Sequence, residues 1–160
     1  MADHHRRSRR PQSAAALIAL MAVVAGGVPA QTSGSYRAVD GIGVYLGVLP
    51  AELIRGHPKG HVESTMHGGP PGGAHAHHVV VALFDLGSSD RITDAEVDAT
   101  LGEIGLAGTA KRLEPFTVAD TLTYGNYFEM PARTRYIVRL TISRPGGGPP
   151  LTTSFEYDHE

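Results

Sequence analysis

Two stretches of strict period-two alternation constrain the fold of this chain more than any other feature. In residues 135 to 144, RYIVRLTISR, Tyr136, Val138, Leu140 and Ile142 fall on one side and Arg135, Arg139, Thr141 and Ser143 on the other. In residues 92 to 101, ITDAEVDATL, Ala95, Val97, Ala99 and Leu101 alternate with Glu96, Asp98 and Thr100. Successive side chains of a strand point to opposite faces, so this pattern predicts strands with one buried and one solvated face. A helix would scatter the same residues around its whole circumference.

Other segments agree with this reading. Residues 77 to 86, HHVVVALFDL, form a β-branched run closed by the turn Gly87-Ser88-Ser89-Asp90. Short strands follow near residues 111 to 113 and 116 to 118, then the aromatic segment YGNYFEM at 124 to 130. Residues 145 to 150, PGGGPP, turn the chain into a last strand at 151 to 159, with Leu151, Thr153, Phe155 and Tyr157 on one face. Residues 41 to 50, GIGVYLGVLP, are β-rich, with Gly43 and Gly47 marking a bulge or a close backbone approach. Residues 50 to 55 can form a helical turn, and residues 31 to 40 read as a flexible leader. The whole predicts an all-β chain, a single antiparallel β-sandwich of about seven strands in which Val97, Val138, Leu140 and Phe155 share one core. No internal repeat is visible.

The first thirty residues have another purpose. Arg6, Arg7, Arg9 and Arg10 precede an apolar run, AAALIALMAVVAGGV at 14 to 28, and the small-residue site Val28-Pro29-Ala30. This is the layout of a cleavable signal helix cut before Gln31, with an uncleaved membrane anchor as the alternative. The run is short for a transmembrane helix. Ser8-Arg9-Arg10 suggests a twin-arginine route, but Pro11-Gln12 fits that signal poorly, so ordinary export to the periplasm or beyond is expected. The expected organisation is a signal peptide at 1–30, a leader and first strand at 31–55, a His/Gly/Pro-rich loop at 56–74, and the sandwich body at 75–160.

Residues 31 to 160 carry 10 Lys and Arg against 15 Asp and Glu, a net of −5 with histidine neutral. That balance opposes nucleic-acid binding, which needs a basic face for phosphates. The chain has no cysteine, so thiolate metal sites, cysteine nucleophiles and disulfides are excluded. No G-x-S-x-G, H-E-x-x-H or P-loop pattern occurs, and the scattered acids, Glu63 and Glu129 among them, form no recognisable catalytic pair. A non-enzymatic protein is expected.

The chemistry lies in the histidines. Six of the nine, His57, His61, His67, His75, His77 and His78, sit in HPKGHVESTMHGGPPGGAHAHH. Imidazole is the commonest protein metal ligand. On a strand His75 and His77 share one face, about 7 Å apart by backbone rise, while His78 points away. The Gly/Pro loop allows Met66 and His67 to approach them, and Met130, before Pro131, offers a second thioether. Nitrogen ligands suit Cu(II) and a thioether favours Cu(I), so copper is the expected ion and zinc the alternative. The candidate ligands are His67, His75, His77, Met66, His78 and Met130. Against this stands a solvated polar loop that binds metals weakly. His57 and His61 are outer candidates at most, and His159, beside the C-terminus, is expected to fray.

The segments HHVVVALFD at 77 to 85, ITDAEV at 92 to 97 and YGNYFEMPARTRYIVRLTISRPG at 124 to 146 resemble the exported YtkA-like sandwiches, relatives in architecture of CopC-like copper carriers. The resemblance covers roughly half the chain and implies an immunoglobulin-like sandwich in bacterial envelope metal handling. CopC-like carriers supply a histidine ligand from the first residue of the mature chain. Here that residue is Gln31, so a terminal-amine copper site is not expected. Two functions follow as expectations. The first is a metal-binding protein that buffers or delivers copper in the envelope. The second is an interaction module docking on an envelope or membrane partner, with residues 41 to 50 as its contact segment.

Overall fold

The computed structural model describes residues 34–55, 69–118 and 120–160. The proposed signal helix and the loop residues 56–68 lie outside the described residues. The elements are β1 (Tyr36–Val39), β2 (Ile42–Pro50), α1 (Ala51–Arg55), β3 (Ala76–Asp85), β4 (Glu96–Glu103), β5 (Thr109–Val118), β6 (Thr121–Glu129), β7 (Arg135–Ser143) and β8 (Leu151–Asp158). All pairings are antiparallel, and the strands run in the order β1-β2-β3-β6-β5-β4-β7-β8.

The sheet folds over at β5. Residues Thr109 to Leu113 pair with β4, and Glu114 to Val118 pair with β6. Pro115 sits just past this change of partner, where a strand tolerates a residue with no N–H. The two short strands expected at 111 to 113 and 116 to 118 are therefore one strand serving two neighbours. At the far ends, the Arg37 guanidinium of β1 lies 5.9 Å over the Phe155 ring of β8, so the sheet curls back on itself, nearly as a barrel.

The alternation of the sequence becomes the inside of this curl. Val44 and Leu46 of β2, Val79, Val81 and Leu83 of β3, Val97 and Leu101 of β4, Tyr136, Val138, Leu140 and Ile142 of β7, and Phe155 of β8 form one buried cluster. The four residues expected to share a core do so. The Tyr124 hydroxyl ties β6 to the segment before β4: it accepts the Ala95 N–H at 3.1 Å and donates to the Ile92 carbonyl at 3.3 Å. Burial raises the Tyr124 phenol above its ordinary pKa.

The two outward faces differ. On the β4-β7-β8 side, Arg112 meets Asp98 at 2.7 Å and Glu96 at 3.1 Å, and Arg135 meets Asp158 at 2.7 Å. These exposed pairs contribute little stability, because water screens them, but they keep the face hydrated. The β1-β2-β3 side instead presents Tyr36, Tyr45 and Phe84 as a packed aromatic strip, beside exposed Leu49 and Leu53.

Two expectations are corrected. Residues 36 to 39 are not a loose leader; they pair with β2 in the register Tyr36↔Tyr45 through Val39↔Ile42. Asp40 and Gly41 form the turn with φ of 44° and 78°, the left-handed pair of a tight hairpin. The described residues thus form eight strands, not about seven. β2 runs without a bulge, and its glycines answer to close approach instead. A Cβ on Gly47 would lie 2.8 Å from Val80 Cγ2, and one on Gly43 would meet Leu86 at 3.0 Å.

Candidate metal centre

β3 enters the sheet at its histidines, and each successive residue meets a different environment. His75 precedes the strand and its side chain is exposed. Its carbonyl accepts the Met130 N–H at 2.8 Å and stands 2.9 Å from His77 Nδ1. His77 shares the inward side of β3 with Val79, Val81 and Leu83, and only 3% of its surface is accessible. Because strand geometry separates neighbours, His78 takes the outward side. Its ring stacks on Tyr127 at 4.6 Å, tilts against Phe116 at 5.4 Å, and lies over Gly125. It forms part of an apolar groove of about 590 Å³ with Leu49, Leu53, Ile54, Val80 and Phe116. His77 and His78 therefore face opposite sides of the sheet, as the alternation predicts.

Met130 is fully buried in the main core. Register places it near the histidines: His77 is the partner of Phe128, and the Met130 N–H bonds the His75 carbonyl two pairs further on. Met130 is thus a diagonal neighbour of His77 across the β3–β6 pair. Met66 and His67, together with His57, His61 and Glu63, lie outside the described residues.

The residue that sequence reasoning misplaced is His159. It does not fray. Its N–H donates to the Thr134 carbonyl at 3.0 Å, and its Nδ1 lies 2.9 Å from the Ala132 carbonyl. Its ring meets the His77 ring edge to face, with centroids 4.7 Å apart and planes at 79°. Tyr136 and Tyr157 stand 6.2 and 6.4 Å away, and the Tyr136 hydroxyl accepts the Ala132 N–H at 3.2 Å. A signal for this was present. The inward series Leu151, Thr153, Phe155, Tyr157 continues by two to His159.

A carbonyl oxygen only accepts, so both Nδ1 contacts require an N–H on the ring. Each neutral imidazole then carries its lone pair on Nε2, the tautomer that binds metals from that atom. Among the described residues, no group of three or more His, Asp or Glu side chains gathers around one point. His159 also lines an open cleft of about 690 Å³ with Glu103, Arg133, Arg135, Asp158 and Glu160.

No protein-family model matches the chain, and no curated protein matches it by sequence. Solved structures do match it. A copper-bound variant of FetP from uropathogenic Escherichia coli superposes with a TM-score of 0.60 at 14% identity, over 78% of this chain and 93% of that one. The chain has that fold. FetP as isolated after recombinant expression in the periplasm gives a TM-score of 0.61 at 14% identity, over 77% of this chain and 91% of the other. A copper-bound variant of Campylobacter jejuni P19 gives 0.59 at 14% identity, over 78% and 94% of the two chains.

Proposed function

We propose that this protein is an exported, non-enzymatic metal-binding protein that buffers or delivers copper, with zinc as the alternative ion, in the bacterial envelope. The observation that supports the reading is that His75, His77 and Met130 lie at one end of the sheet, where the His75 carbonyl accepts the Met130 N–H and stands 2.9 Å from His77 Nδ1. The fold shared with copper-bound FetP and P19 supports it. So does the periplasmic expression of FetP, alongside the signal-like first thirty residues. The proposed ligands are drawn from His67, His75, His77, Met66, His78 and Met130. His78, across the sheet from His77, would serve a second and weaker position. The immunoglobulin-like class of the sandwich and the division at residues 30, 55 and 74 belong to the same proposal.

The test is direct. The exported protein is purified without a histidine tag, and its copper and zinc content and affinities are measured. Stoichiometric copper is the expected result. Failure to bind either ion refutes the reading.

One observation favours a second reading, an interaction module for an envelope partner. The outward side of β1, β2 and β3 presents Tyr36, Tyr45, Leu49 and Phe84, where an outward sheet face ordinarily alternates to polar residues. Tyr45→Asp with Leu49→Asp would abolish association with the partner and leave copper affinity unchanged. Copper loss without any change in association would count against it.

A further inference from the structure

We infer that His159, the penultimate residue, is a metal ligand, and that His77 and His159 hold the ion as a cis pair of imidazole nitrogens. The inference rests on the metal-binding reading above and names a ligand absent from it.

The argument starts from ring spacing. A metal lies about 2.0–2.1 Å from an imidazole nitrogen, which places it about 3.1–3.2 Å from the ring centre. Two rings bound to one ion at a right angle then have centroids about 4.5 Å apart, and at a tetrahedral angle about 5.1 Å. A linear pair would need about 6.3 Å. The observed 4.7 Å falls between the right-angle and tetrahedral spacings and far below the linear one, so the two rings stand close enough to share one ion. A pair near a right angle would suit the tetragonal geometry of Cu(II).

Tautomer and anchoring agree with the spacing. Each ring holds a main-chain carbonyl through Nδ1 at 2.9 Å: His77 that of His75, just before β3, and His159 that of Ala132, between β6 and β7. This is the outer-shell arrangement that orients a ligating histidine and raises its basicity. Edge-to-face packing alone explains the contact between the rings. It does not require both Nδ1 atoms to be committed in the same sense, which leaves Nε2 as the available donor on each ring. Burial of His77 gives the pair a rigid inner member. His159 forms the outer member and borders the cleft containing Glu103 and Asp158, which is the route of entry. Among the described residues, Met130, diagonal to His77, is the nearest thioether by register.

The experiment uses the full chain, exported and purified without a histidine tag, with Cu(II) alone as the probe. His159→Gln should weaken copper affinity about tenfold or more, equivalent to about 1.4 kcal/mol, and remove one imidazole from the nitrogen hyperfine pattern of the Cu(II) spectrum. His77→Phe should do the same. The double variant should lose less than the product of the two single losses, because either change alone already breaks the chelate. Since His77 is buried, folding of its variant is checked by thermal unfolding. The His159→Gln result stands alone if that variant fails to fold. In the metal-free protein, ring-nitrogen NMR should show both histidines protonated at Nδ1. If His159→Gln binds copper as the wild type does with an unchanged spectrum, the inference is overturned and the metal-binding reading survives on other ligands. If the wild type binds no copper, both fail.

Discussion

Gly125→Ala tests whether the His78 ring is wedged into the outer face of the sheet. A Cβ at this position would lie 2.7 Å from His78 Nε2, 2.7 Å from Phe116 Cε1 and 3.1 Å from the Val79 carbonyl oxygen. Ordinary contacts are about 3.5–4.0 Å. The imidazole has little room to retreat, because Tyr127 stacks on it at 4.6 Å and only 2% of its surface is accessible. Overpacking of this kind costs roughly 1–3 kcal/mol. Alanine recovers about 0.5–1 kcal/mol of the backbone entropy that glycine loses in a strand. The net is a destabilisation of about 1–2 kcal/mol, or roughly 3–10 °C in Tm for a domain of this size. Thermal unfolding followed by far-ultraviolet circular dichroism measures it. Gly148→Ala is the control, since a Cβ there meets nothing within 4 Å. His78→Ala in the Gly125→Ala background should recover part of the loss, with a coupling of about 0.5–3 kcal/mol. A Gly125→Ala protein as stable as the wild type would show that the ring is not held where it stands.

Leu140→Ala should cost roughly 2–5 kcal/mol in denaturant unfolding, because Leu140 is fully buried in the core; a cost under 1 kcal/mol would contradict its placement. Tyr124→Phe should cost about 1–3 kcal/mol by leaving the Ala95 N–H without its hydroxyl acceptor, and an unchanged urea midpoint would refute that role. Backbone N–H groups of Ser88 and Gly87 hold the Asp85 carboxyl below its ordinary pKa. The stability they confer is therefore present above the unfolded value of about 3.9 and lost as pH falls through the lower folded value. The stability difference between wild type and Asp85→Asn should shrink from pH 7 to pH 2, and a constant difference would exclude the effect. Mass spectrometry of the envelope fraction should find a chain beginning at Gln31; intact residues 1 to 30 would reject the cleavage proposal.

Much of the fold was legible because period two is a local property. The alternation in β7 needs no distant partner to be read, and it placed Val138 and Leu140 in the core. Parity likewise separated His77 from His78. The Asp40-Gly41 hairpin was also local, but the four residues before it, Tyr36–Val39, are too few to show an alternation, so β1 was missed. What sequence could not supply was which strand ends meet. His77 and His159 are 82 residues apart, and they touch only because the sheet folds over at β5 and brings the end of β8 against the start of β3. Closure of that kind depends on twist, on the partner change at Pro115 and on core volume, none of which is carried by a single segment. The sequence by itself determined the residues available for metal chemistry, by excluding cysteine and concentrating histidine. The tertiary structure alone decided that a terminal histidine would join an internal one. Strand pairing places residues by neighbours in space, whereas sequence pattern reports only neighbours along the chain.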